Sequence, residues 1–279
     1  MKALLKTGIS LIFIFVFVNI SGQMNVITYN IRLNTAGDGE NAWPHRKQDV
    51  VNLLKFHKAD IFCLQEALHE QVSYVDDAFP AYDFVGVGRD DGKIKGEYSP
   101  VFYNSLRFEK NRSGHFWLAE DPSEPALGWD AACIRICSWV ELKDLESGEV
   151  FLVFNTHFDH VGVSARKNAA DLIIRKTRKI AGKHPVILCG DFNLPPASVP
   201  VKKLSSHFSD AYRVTELPPH GATGTWAGFS YDDKKGDRID YVFVSEDFRV
   251  LRYAALADSR DRKFFSDHLP VLVEVVIDN

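Results

Sequence analysis

Residues 185–196 read PVILCGDFNLPP: an apolar run, then a carboxylate, an aromatic and a carboxamide, then two prolines. An uninterrupted apolar run is what a strand covered on both faces looks like, and Pro195 and Pro196 stop it. Asp191 and Asn193 are therefore left at the end of a buried, rigid element. Such residues either shape a turn or do chemistry, and a lone Asx at a strand end is most often a turn former. What decides is the company they keep.

Similar runs recur along the chain: MNVITYNI (24–31), ADIFCLQ (59–65), YDFVGVG (82–88), SPVFYN (99–104), CIRICSWVEL (133–142), VFLVFNTHF (150–158), RIDYVFVS (238–245), VLRYAAL (250–256) and LPVLVEVVI (269–277). Helical spacing is confined to HRKQDVVNLLKFHK (45–58), ALHEQVSYVDDAF (67–79) and SARKNAADLIIRKTRKIAG (164–182), the last closing on basic residues and a glycine as helix ends do. Many strands with few helices predict an α+β fold, two packed sheets with helices on their outer faces. No repeat or long linker divides the sequence, so residues 23–279 read as one domain.

The first 22 residues read differently. Lys2 and Lys6 precede an apolar run from Ile9 to Val18, and small residues Ser21 and Gly22 follow it. That is the layout of a secretory signal peptide, and the run is short for a membrane span. The expectation is an exported monomer, periplasmic or extracellular, with no stable membrane insertion after cleavage. Formal charge is −4, and −6 beyond the leader, where 31 basic residues face 37 acidic ones. The basic footprint of a long nucleic-acid binder is missing. Of the four cysteines, Cys63 and Cys189 sit in apolar runs, and Cys133 and Cys137 are too far apart along a strand to bond each other, so all four read as structural.

Across the chain, polar residues gather at strand ends. Asn30 closes VITYN, Glu66 closes IFCLQE, His157 closes LVFNTH, Asp240 opens IDYVFV, and Asp267 and His268 sit just before the last strand. Each alone has an ordinary explanation as a turn former or a helix-end charge. Together they have the clustering of an active site held on rigid elements.

As an ordered set, TYNIR (28–32), LQE (64–66), NTHFDH (155–160), GDFN (190–193), RIDYVF (238–243) and SDH (266–268) resemble the endonuclease/exonuclease/phosphatase superfamily, in its deoxyribonuclease-like branch of metal-dependent hydrolases. The resemblance implies a four-layer αββα sandwich with the site at one edge of its two sheets. It also implies a phosphoesterase, with a nucleic acid, a phospholipid headgroup or a phosphosugar as substrate. Phosphoester hydrolysis needs charge neutralisation, an activated water and help for the leaving oxygen. A hard cation, Mg²⁺ or Mn²⁺, supplies the first, with Glu66 as ligand, Asn30 beside it as a neutral oxygen donor, and Asp267 as an outer contributor.

His268 is then the candidate base, oriented by Asp240, the pairing that fixes a histidine tautomer in hydrolase triads. Asp191 would orient the water or act near the leaving group. Asn193 would donate to a phosphate oxygen, and His157 would stabilise phosphoryl charge or protonate the leaving group. The same branch implies Glu97 as partner of His157 and Arg135 as a phosphate ligand. Trp43, Trp129 and Trp226 lie in segments expected to border the site, with loop packing slightly favoured over substrate stacking. The leading expectation is an exported metal-dependent phosphoesterase using direct attack of water. A nuclease for extracellular DNA or RNA, and a non-catalytic binding module on the same sandwich, are the alternatives.

Overall fold

The apolar runs pair into two sheets because their alternate residues have two different cores to fill. The structure is a computed structural model that describes residues 22–233 and 236–278, so the expected leader lies outside the described residues except for Gly22. The first half of the chain runs β1 (Met24–Asn30), a 3₁₀ turn (Ala36–Asn41), α1 (Trp43–Phe56), β2 (Ile61–Gln65), α2 (His69–Ala78), β3 (Tyr82–Val85), β4 (Val101–Asn104), β5 (Phe108–Trp117) and β6 (Ile136–Asp144). The second half runs β7 (Val150–His157), α3 (Val163–Ala181), β8 (Val186–Asp191), α4 (Val199–Leu204), β9 (Ser209–Asp210), α5 (Ala211–Val214), β10 (His220–Gly221), β11 (Asp240–Val244), β12 (Phe248–Ala255), β13 (Ser259–Arg260), β14 (Lys263–Phe264) and β15 (Val271–Ile277).

One sheet has the order β10-β12-β15-β1-β2-β4-β3, the other β5-β6-β7-β8-β11-β9. Within β1, Met24 and Val26 point into the core between the sheets while Ile27 and Tyr29 point outward. In β8, Ile187 and Cys189 fill that same inner core, and Leu188 packs outward. A period of two split between two apolar environments reads in sequence as a continuous apolar run. α1 and α2 cover one outer face and α3 the other, giving the four layers of an αββα sandwich. Among the described residues, no helix is long and apolar enough to cross a membrane. The four cysteines are free thiols; Cys133 lies in a loop before β6 and is only half-buried.

β5 is the one long strand the sequence reading lacks. Its middle, Glu109–Ser113, is exposed at a sheet edge, so neither alternation nor an apolar run marks it.

At the centre of each sheet is one parallel pair: β1 with β2, and β7 with β8. Each is joined by a helix, α1 or α3, because a parallel return needs a long crossover. Both pairs end at the same edge of the sandwich, which brings Asn30, Glu66, His157 and Asp191 to one place. β11 runs antiparallel to β8, so Asp240 at its start lies opposite Asp191 at the end of β8.

Gly190 is required for this pairing. Its φ is +150°, and an added Cβ would lie 2.0 Å from the carbonyl oxygen of Thr156 on β7. Backbone clash cannot be relieved by a side-chain rotation. Gly190→Ala is therefore expected to lose roughly 3 kcal/mol or more of stability, by analogy with other overpacked strained positions. A denaturant melt within about 0.5 kcal/mol of wild type would contradict the β7–β8 geometry described above.

Candidate active site

The converging strand ends carry strained backbone. Arg32, Glu66 and Asn193 all have positive φ, at 57°, 60° and 50°. Non-glycine residues in this region cost energy and persist only where surrounding contacts hold them, a pattern typical of functional sites. The three line one cavity of about 270 Å³ together with Leu33, Glu97, Cys133, Arg135, His157, His160, Asp191, Trp226, Asp267 and His268. A larger groove of about 690 Å³ lies elsewhere, by the end of α3 and Ser205–Ser209, but its ionisable lining is exposed or half-buried.

His268 Nδ1 lies 2.9 Å from Asp240 Oδ2, both residues being buried. The backbone N–H of Asp240 donates to Thr225 Oγ1 at 3.1 Å, which anchors the carboxylate's own position. The other imidazole nitrogen, Nε2, faces Asp191 Oδ2 at 3.7 Å. Burial alone would discharge His268, but the Asp240 and Asp191 carboxylates outweigh it and hold the imidazole well above the ordinary histidine value.

His157 is the opposite case. Burial, reinforced by the Arg135 and Arg89 guanidiniums, pushes it well below the ordinary value and keeps it neutral. Its Nε2 faces the Asn193 amide at 3.0 Å and Asp191 at 3.3 Å. Asp191 thus stands between the two imidazoles. Burial, with Asp240 close by, raises its carboxyl above the usual range.

A cation-attracting face lies on the other side of Asp191. Asp267 is pushed upward by burial, and by the nearby Glu66 carboxylate, against the opposing pull of His268. Arg32 already brings positive charge there, with Nη1 3.7 Å from Glu66 Oε2 and Nε 3.9 Å from Asp267 Oδ2. That guanidinium is hydrogen-bonded to Asp38 at 3.0 and 3.1 Å, so Glu66 and Asp267 keep oxygens that fit a hard divalent cation. Asn30 presents its nitrogen here: Nδ2 donates to Glu66 Oε1 and Asp191 Oδ2, each at 3.0 Å, and its Oδ1 accepts the Arg32 N–H. In this conformation Asn30 spaces two carboxylates rather than offering an oxygen. Asp191, Asp240 and His268 form a second group whose ligand atoms lie within 4.8 Å of one another.

Arg135 forms a further wall of the cavity. It is 5% exposed, yet Nε and Nη1 have no hydrogen-bond partner, and the same is true of His157 Nδ1. Buried donors without partners are rare unless something else is meant to meet them. Glu97 stands between these groups, 4.0 Å from His157 Nδ1 and 3.9 Å from Arg135 Nη1, but its close partner is Arg89 at 2.6 Å. The resemblance named His157 as that partner; the guanidinium of Arg89, lodged beside Glu97, takes the tighter contact. Asp159 directs its oxygens to main chain, accepting from the backbone N–H groups of Ala132, Cys133, Val161 and Gly162. His160 Nδ1 lies 3.2 Å from Arg135 Nη2 and steadies that side chain.

Two contributors have no role in the sequence reading, although Ser266 lies within its SDH motif. Arg46, 4% exposed, donates to the carbonyls of Asn41 (2.7 Å), Arg32 (2.9 Å), Phe265 (3.1 Å) and Ile31, tying the Asn30 turn to the segment before His268. It sits in an ordinary helical pattern, and nothing local distinguishes it from a surface arginine. Ser266 Oγ donates to the Asn30 carbonyl at 2.7 Å and closes the same joint. Of the three tryptophans expected at the rim, Trp43 is buried against Tyr74 and Trp129 packs on the outer core. Trp226 alone lines the pocket.

Residues 27–268 match the Endonuclease/Exonuclease/phosphatase family. An endonuclease/exonuclease/phosphatase from Bacteroides vulgatus is 38% identical, with a TM-score of 0.87 over 92% of this chain and 99% of that one. A mannosyl-6-phosphatase from Bacteroides thetaiotaomicron is 36% identical, with a TM-score of 0.87 over 91% of this chain and all (100%) of that one. An uncharacterized protein of Acanthamoeba polyphaga mimivirus is 25% identical over 245 residues, 83% of this chain and 91% of its own length.

The opposed environments of the two histidines can be read in solution. In metal-free protein, nitrogen NMR should find His268 still protonated above pH 6.5, the ordinary histidine value, while His157 stays neutral below it. Because folding raises the proton affinity of His268, its stabilising contribution is complete below about pH 6.5 and is lost as pH climbs through the raised value. Asp240→Asn should lower the His268 midpoint; an unchanged midpoint would mean that the pair does not hold the proton.

Proposed function

Because the chain belongs to the endonuclease/exonuclease/phosphatase family, whose members are hydrolases acting on phosphoester bonds, we propose that it is a divalent-metal-dependent phosphomonoesterase for compact substrates, using water directly as nucleophile. The observation that carries this reading is the buried His268–Asp240 pair sharing a cavity with a guanidinium, Arg135, whose Nε and Nη1 have no hydrogen-bond partner. A base and a guanidinium suited to an anion share one small cavity.

The size of that cavity favours a small phosphorylated molecule over a polymer. About 270 Å³ lies below the range of ligand sites that take a drug-sized molecule, roughly 300–1,000 Å³. Overall charge is −4, which gives a polyanion no general attraction. The similarity to a mannosyl-6-phosphatase points the same way.

Each residue then has a task. Asp240 fixes His268 Nδ1, which leaves Nε2 to take the proton of the attacking water, and Asp191 beside it orients that water. Arg135 and His157 receive the phosphoryl oxygens, and Asn193 holds His157 in place until substrate arrives. Glu66 and Asp267, with Asn30 between Glu66 and Asp191, would hold Mg²⁺ or Mn²⁺, which supplies positive charge to the phosphate and the departing oxygen. Positive charge held beside Asp191 and Asp267 would oppose the carboxylates that raise His268, and so lower its proton affinity toward that of a working base.

Phosphate release from glycerol phosphate, p-nitrophenyl phosphate and hexose phosphates should require Mg²⁺ or Mn²⁺ and stop with chelator. His268→Ala should lower kcat by about 10²–10⁴-fold, the usual worth of a general base. Glu66→Gln should weaken Mn²⁺ binding in calorimetry. Faster cleavage of bis-p-nitrophenyl phosphate or plasmid DNA than of any monoester would overturn the monoesterase reading, as would turnover undiminished by chelator.

Export is also proposed, on the charged, apolar and small-residue order of residues 1–22. N-terminal sequencing of the protein from its native host should begin near Gln23; an intact Met1 would reject it.

A further inference from the structure

Trp226 stands at the mouth of the catalytic cavity on an unusually firm mount. Its backbone forms a bridge with His268, the N–H groups of Ala227 and Gly228 donate to Asp267 O at 2.7 and 2.9 Å, and Leu269 N donates to Thr225 O at 2.7 Å. The indole is thereby fixed to the same short segment that carries the proposed base. Behind it lie two glycines. A Cβ on Gly236 would come within 3.0 Å of the six-membered ring, and one on Gly228 within 3.2 Å. Only hydrogen at those positions lets the ring rest against the backbone.

That mount does not bury the residue. Trp226 is 49% exposed and lines the pocket with His157, Asp191, Asn193 and His268. A large aromatic surface held rigidly and left half-bare is expensive in water unless a ligand covers it. The remaining lining is polar: Arg135, His160 and Cys133 on one wall, Arg32 and Glu66 on another.

We propose that Trp226 is the stacking platform for the sugar ring of a hexose phosphate monoester, whose phosphate sits at Arg135 and His157. This deepens, and rests on, the monoesterase reading. A pyranose has one face of C–H groups that suits an indole, while its hydroxyls meet the polar walls. The cavity volume of about 270 Å³ accommodates a phosphate and one ring. A nucleotide would have to place a second ring outside it. Because the platform is tied to His268 through backbone hydrogen bonds, ring seating and base position are set together. Trp226 touches substrate in this scheme but moves no proton.

The test is a discrimination ratio: kcat/KM for a hexose 6-phosphate divided by kcat/KM for glycerol phosphate, an acyclic monoester, measured with saturating Mn²⁺. Trp226→Ala should lower the ratio about tenfold, within the worth of an aromatic contact, mainly through KM for the hexose, and Trp226→Phe should restore most of it. Gly236→Ala keeps the indole but displaces it, and should lower the same ratio at least threefold. Thermal melts check that each variant is folded, and should be close to wild type for Trp226→Ala because the side chain is half-exposed. Binding is read separately by quenching of tryptophan fluorescence when hexose 6-phosphate is added to His268→Ala, a signal that Trp226→Phe in that background should reduce. Equal losses on cyclic and acyclic substrates in Trp226→Ala, with wild type active on both, would overturn the platform and leave the monoesterase reading standing. Absence of monoester turnover in wild type would overturn both.

Discussion

One buried amide joins the two sheets where the chemistry is. Asn30 ends β1, Asp191 ends β8, and the 3.0 Å hydrogen bond between them spans 161 residues of sequence. Its other donor reaches Glu66, so a single side chain sets the distance between two carboxylates that would otherwise repel. Deeper in the seam, Gln65 donates to Asn155 at 2.7 Å, and Asn155 donates to the carbonyls of Leu64 and Pro100. Buried polar groups are costly unless paired, and a paired network favours a single alignment. This polar seam fixes how the sheets register, and the register fixes the site.

Around that seam, charge is distributed so that neighbouring groups differ in kind. His268 lies among carboxylates and holds its proton; His157, buried and beside guanidiniums, does not. The two imidazoles face a common carboxyl, Asp191, yet arrive at it in opposite states. Environments that push similar groups apart are how one site obtains distinct acid and base functions. Arg32 and Arg46 play complementary parts: the first faces the Glu66–Asp267 pair, and the second spends its donors on main-chain carbonyls that carry those residues' turns.

Legibility followed burial. β1, β2, β7, β8 and β11 were readable because each is apolar on both faces, and the acids and histidines stood out against those runs. β5 was not readable, since its outer residues meet water and carry no period. Among tryptophans, sequence placed three in rim loops, but Trp43 is the first residue of α1 and buried, and only Trp226 reaches the pocket. Local sequence does not say which side of a loop faces a cavity. Glu97 was brought near His157 as expected, yet its closest partner, Arg89, belongs to a turn with no motif of its own.

By itself, then, the sequence determined the apolar central strands, the motif order from Tyr29 to His268, and the residue types that meet at the edge of the sandwich. These follow from periodicity and from hydrophobic runs ending in ionisable groups, both local properties of a chain. Only the tertiary structure decided that His268 is charged while His157 is neutral, that Arg46 staples two turns, and that one indole in three stands at the cavity. Proton affinity depends on which charges lie within a few ångströms and on how much water is excluded. Both are set by segments that lie far apart in sequence and meet only when the sheets pack.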